Sequence, residues 1–152
     1  MDTNTQASYE TDFAAWAQHQ ALMVRLGKWE ELDQEHLVEE LEALSRHEQH
    51  QLESRLEVLM MHLLKWQYHP TPEDPRRGWR LTILEQRRRL SRLLHMSPSL
   101  RPSLPAVLIE SYPYARRIVH EETGLPDAIL PSECPWKVEH VLDDDFWPDV
   151  IP

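Results

Sequence analysis

HLVEELEALSRHEQHQLESRLEVLMMHLLKWQYHP, residues 36–70, decides the fold. Leu37, Leu41, Leu44, Leu52, Leu56, Leu59 and Leu63 fall on one broad face when the stretch is wound at 3.6 residues per turn. Upstream, Asp33 is a ready N-cap. Downstream, Pro70, Pro72 and Pro75 cannot continue a helix. The spacing therefore predicts one helix from the Asp33 cap to Tyr68, ~52 Å long at the α-helical rise.

The middle of this stretch, SRHEQHQ (residues 45–51), holds no apolar residue. His47 and His50 lie opposite the leucine face. Metal sites inside helical bundles use inward-facing Glu-x-x-His sets, and His-Glu-x-x-His is the zinc pattern. Neither occurs here, and two imidazoles three residues apart make a weak site. A solvated helix face outweighs a metal. Glu48 differs, because it projects from the apolar face, where a carboxylate needs water or a partner. Either the helix bends or leaves the core at Ser45–Gln51, letting Glu48 reach water, which is the favoured reading, or an arginine from the third helix reaches it.

The wider composition agrees with helices. The chain has 152 residues, 41% hydrophobic and 28% charged, and only 3 glycines. These are the proportions of a soluble globular protein large enough for one core. No run approaches the ~20 apolar residues of a membrane span, and the N-terminus lacks the pattern of a secretory signal. A single cysteine, Cys134, points to a reducing cytoplasm. The net charge of −10 argues against general nucleic-acid affinity. That charge comes in blocks. Residues 76–95 carry seven arginines against Glu85, a net of +6, while both flanking stretches are acidic.

A first helix is expected from Tyr9 to Leu26, capped by Ser8, stopped by Gly27, and burying Phe13, Trp16, Ala17, Leu22, Met23 and Leu26. A third runs from Arg76 to Met96. Ser97-Pro98 opens a further segment reaching Thr123, with Gly124 past its end and a break or kink expected at Pro113. A short helix is expected from Trp136 to Leu142 in a proline-punctuated tail. Residues 1–8 read as a flexible N-terminus and 9–152 as one helical domain.

Taken together, YETDFAAWAQHQALMVRLGKWEELD, ESRLEVLMMHLLKWQYHP, WRLTILEQRRRL, SPSLRPSL and EETGLP…PSECPW…LDDDFWP resemble the bacterial domain-of-unknown-function family number 29 over residues 9–148. The resemblance implies an all-helical, single-domain bacterial protein and assigns no reaction, ligand or site residue. Pro113 departs from the family's pattern.

Site candidates then rest on the residues themselves. On the third helix, Trp79, Ile83, Leu90, Leu93 and Leu94 share one side, Arg77, Arg88 and Arg92 lie opposite, and Arg80 and Arg87 flank the core edge. Guanidinium forks suit phosphate or carboxylate. Pairing with the acidic segments of the chain, or across a dimer, outweighs an anionic partner. Asp143–Asp145 reads as solvated or arginine-paired before it reads as a Mg²⁺ site. Glu133 opposes activation of Cys134, and no nucleophile–base spacing or glycine-rich phosphate loop occurs.

The sequence therefore predicts an all-α bundle of four or five helices with one long central helix and a proline-rich C-terminal segment on its surface. It favours a non-enzymatic interaction or adaptor protein that binds a protein partner or itself. Arg77, Arg80, Arg87, Arg88, Arg92 and Trp79 are the anion- or partner-binding candidates, and Glu48 is the buried polar candidate. No metal, cofactor or membrane is expected. The alternatives are an arginine-lined pocket for an anionic group and, behind it, a nucleic-acid-associated regulator.

Overall fold

A computed structural model describes residues 8–70 and 73–151. Every regular element among them is helical: α1 Phe13–Arg25, α2 Gln34–Tyr68, α3 Glu73–Met96, α4 Leu104–Thr123 and α5 Val138–Leu142, with short 3₁₀ helices at Trp29–Glu31 and Pro98–Ser103. The protein is all-α, with the expected long helix. None of the helices described is long and apolar enough to cross a membrane. Contacts divide the chain into two compact units, one ending at His47 and one beginning at Glu48. The flexible N-terminus expected over residues 1–8 lies outside the described residues, apart from Ser8, which is helical.

In the first unit, residues 8–11 form a helical turn that stops at Asp12. The cap of α1 is Asp12 rather than Ser8: its Oδ1 accepts from the Ala15 amide at 3.0 Å. A charged acceptor answers the orphan amides of the first turn better than a hydroxyl four residues earlier. At the other end Gly27 adopts φ 68. Its amide bonds Val24 at 3.1 Å and the Lys28 amide bonds Met23 at 2.9 Å, a Schellman ending of the kind glycine permits. The buried residues of α1 are Trp16, Gln20 and Met23. Phe13, Leu22 and Leu26, expected inside, are exposed.

The second unit is built on leucines. Leu52, Leu56, Leu59 and Leu63 of α2 are at most 1% exposed, and pack in one cluster with Ile83, Leu90 and Leu94 of α3 and Leu108, Tyr112, Ala115 and Val119 of α4. The Ser97–Glu48 bond at one end and the Arg76–Trp66 bond at the other place α2 and α3 antiparallel. The tail joins this core through Leu125, Leu130, Trp136 and Val141. It also closes the end of α2, where the orphan carbonyl of Gln67 accepts from the Ile151 amide at 2.8 Å and the Trp66 ring N–H donates to the Pro148 carbonyl at 3.1 Å.

One expectation about continuity is corrected. The segment is not divided into two helices at Pro113, since α4 runs from Leu104 to Thr123. Pro113 lies on the exposed face, where the Ile109 carbonyl that lacks its i+4 donor reaches water. The change of helix type falls at Ser103–Leu104 instead. At Ser45–Gln51 α2 stays helical and leaves the core, as expected: Leu52 and Leu56 are buried, Glu48 is half-exposed, and Leu44 and Leu41 are exposed.

Candidate functional site

The first unit is held at its hinge by polar bonds. The Asp33 carboxylate accepts from the Trp16 ring N–H at 3.0 Å, bonds the His36 Nδ1 at 2.7 Å, and caps α2 through the His36 amide at 3.4 Å. Its own amide donates to the Gln20 side-chain oxygen at 2.8 Å. Tyr9 stacks on His36 at 3.8 Å and donates its hydroxyl to Glu40 at 2.7 Å. These contacts leave marks on titration. Burial pushes the Asp33 carboxyl upward, but the bonds from His36 and Trp16 outweigh it and hold the group below its ordinary value. The bond to Asp33 raises His36, and the Glu40 carboxylate that accepts its hydroxyl pushes Tyr9 up to about 12.

Beyond this network the two helices splay into an apolar groove of about 350 Å³. Phe13, Val24, Leu37, Leu41 and Leu44 line it, with Gln20 at its wall. Leu41 and Leu44 are 65% and 63% exposed and Phe13 is 51% exposed, so the leucine face expected to be buried over residues 37–44 is largely open. The physical reason is supply: the first unit has two short segments to set against α2, too few to cover that face. Gln20 is 1% exposed, and its side-chain NH₂ finds no acceptor among the described residues. The surroundings are acidic, with nine carboxylates against three basic residues over positions 8–47.

The arginines of α3 have several different surroundings. Arg87 is 1% exposed. Its Nε donates to the Val141 carbonyl at 2.9 Å and its Nη2 to the Phe146 carbonyl at 2.9 Å, while Nη1 is buried without a partner among the described residues. Burial lowers its pKa. This arginine binds the tail to α3. Arg80 lies over the Trp147 ring at 4.3 Å. Trp79 is half-buried and meets the edge of His69. Arg77 is exposed.

Arg88 and Arg92 stand elsewhere, along a second groove of about 410 Å³. Arg55 of α2 and Arg89 of α3 join them there, with Glu48, Leu93 and Met96. Arg88 donates to Glu85 at 3.1 and 3.2 Å and Arg89 grips the same carboxylate, which holds Glu85 down at about 2. Glu48 is half-exposed and accepts from the Ser97 hydroxyl at 3.1 Å. That use of Ser97 explains why its side chain does not cap the following 3₁₀ helix. Glu48 thus reaches solvent where α2 leaves the core, and its hydrogen-bond partner is a serine rather than an arginine of α3. The structure brings Arg88, Arg92 and Glu48 together and leaves Arg77, Arg80, Arg87 and Trp79 apart from them. Arg55 and Arg89 were not singled out in the sequence. No group of three or more histidine, cysteine or acidic side chains spaced to hold a metal occurs among the described residues.

Residues 8–147 match the domain of unknown function DUF29. The chain belongs to the DUF29 family. No curated protein and no solved structure matches it. For this DUF29 chain the match runs from the helical turn ahead of α1 to Trp147 under Arg80, so both grooves lie within the family domain.

Proposed function

We propose that this DUF29 protein is a non-enzymatic interaction protein of the cytoplasm, one helical domain over residues 9–152, whose first unit receives a basic amphipathic helix of another protein. The observation that carries the reading is the open apolar groove beside α1 and the start of α2, with Leu41 and Leu44 about two-thirds exposed. Apolar faces left open between helices accept amphipathic helices through anchors at i, i+3, i+4 and i+7, and contiguous exposed apolar surface marks interaction sites. The acidic surroundings select a basic partner and speed its encounter. Cys134 as the single cysteine supports the cytoplasmic setting.

The test is a titration of the whole chain, followed by backbone NMR, with a leucine–lysine peptide of about 18 residues, long enough to hold a helix. Shifts concentrated at Phe13, Val24, Leu41 and Leu44 are expected. The same peptide with glutamate for lysine should bind at least about tenfold more weakly. Shifts elsewhere, or equal affinity for the two peptides, would overturn the reading.

A further inference from the structure

The second groove, independent of the first, is built from two helices that are far apart in sequence. Arg55 comes from α2, and Arg88, Arg89 and Arg92 come from α3. Their charge is only partly spent. Glu85 occupies two N–H groups of Arg88 and one of Arg89, and Gln51 takes one from Arg55 at 3.0 Å. Arg92 is exposed and unpaired among the described residues. Four guanidinium groups against the carboxylates of Glu48 and Glu85 leave a local charge of +2, in a chain whose total is −10.

The geometry points to a binding site for a small phosphate monoester, its phosphate held by the Arg55, Arg88 and Arg92 forks and its organic part laid on Leu93 and Met96. A phosphate monoester carries about −1.5 to −2 at neutral pH, which matches the charge left over. Guanidinium forks meet phosphate oxygens in pairs. A volume of about 410 Å³ falls in the range of small-molecule sites. Leu93 and Met96 give the groove an apolar edge, and Met96 is 72% exposed. A simple carboxylate would leave one positive charge unanswered. Glu48 faces the same groove, so it opposes the ligand and sets an upper limit on affinity.

Isothermal titration of the intact protein with phenyl phosphate, inorganic phosphate and benzoate tests this. Saturable binding is expected in the order phenyl phosphate, then inorganic phosphate, then benzoate. Arg92→Gln should weaken phenyl phosphate at least about tenfold, as loss of one charge-assisted contact does. Glu48→Gln keeps an acceptor for Ser97 and removes the opposing charge, so it should tighten binding several-fold. That gain cannot come from damage to the fold. Absence of saturable heat with phenyl phosphate, benzoate binding as tightly, or Glu48→Gln and Arg92→Gln both matching the parent would each overturn the proposal.

Discussion

One helix carries the same leucine pattern through two different surroundings. Along α2, Leu41 and Leu44 are about two-thirds exposed, whereas Leu52, Leu56, Leu59 and Leu63 are at most 1% exposed. Periodicity on its own predicts a single buried face for all of them. The difference lies in what each unit brings to cover it. Around residues 52–63 the second unit brings α3, α4 and a tail that adds Leu125, Leu130, Trp136 and Val141. The first unit buries only Trp16, Gln20 and Met23 from α1 and holds itself with carboxylate, imidazole and indole bonds. A hydrophobic stripe thus states which face is apolar, and the neighbours decide whether that face is core or docking surface.

Substitution separates the two regions most sharply. Leu59→Ala, at a site with no exposure, should cost about 2–5 kcal/mol through lost burial and the cavity left behind. Leu44→Ala should stay within about 0.5 kcal/mol of the parent in the same denaturant titration. A large loss at Leu44 would mean that its face is covered in solution. Next in size is the link between α3 and the tail. Arg87→Met removes the donors to the Val141 and Phe146 carbonyls and should cost about 3 kcal/mol, since bonds to charged groups are the stronger ones. Arg87→Lys should recover only part of this, because an ammonium lacks the fork. An unchanged midpoint for Arg87→Met would remove that arginine from the account of the tail.

Asp33 is the corresponding tie in the first unit. Asp33→Ala leaves the Trp16 ring N–H without its acceptor and uncaps α2, and should cost about 2 kcal/mol. Hydrogen exchange should show the loss over residues 13–47 and spare the leucines of the second unit. Equal loss in both would mean that the two respond as one. The smallest effect is that of pH. Because His36 is raised by Asp33, its contribution is complete below the ordinary imidazole value of ~6.5 and disappears as pH climbs through the raised one. Because Asp33 is lowered, its contribution is complete above ~4 and disappears as pH falls through the depressed value. Protection in the first unit should therefore be greatest between ~4 and ~6.5 and weaken toward pH 8. Strengthening toward pH 8 would contradict the Asp33–His36 pairing.

Much of the helical framework was legible in the sequence because its signals are local. Asp33 and the prolines bound α2, and Gly27 and Gly124 take the left-handed conformations their positions suggested. Local signals also misled. Ser8 was a plausible cap, but the turn at 8–11 stops at Asp12 and hands the role to it. Pro113 reads as a breaker until its exposed position is known. The candidate site was legible only in part, for a physical reason. The wheel placed Arg88 and Arg92 on an outer face, yet the groove also needs Arg55, a residue of α2 brought alongside by packing. Arg87 stood at the edge of the core on the wheel, and the carbonyls that bury it belong to a tail more than fifty residues away.

The most direct measurement compares thiol labelling rates on the whole chain. With Cys134→Ser as background, Leu41→Cys and Leu56→Cys are each exposed to a small maleimide, with and without the leucine–lysine peptide. Labelling at position 41 should be rapid and should slow when the peptide is bound. At position 56 labelling should be at least about a hundredfold slower, gated by opening of the core and indifferent to the peptide. Protection at position 41 equal to that at 56 would contradict this, because the leucines of the first unit would then be core, with no face left to offer a partner.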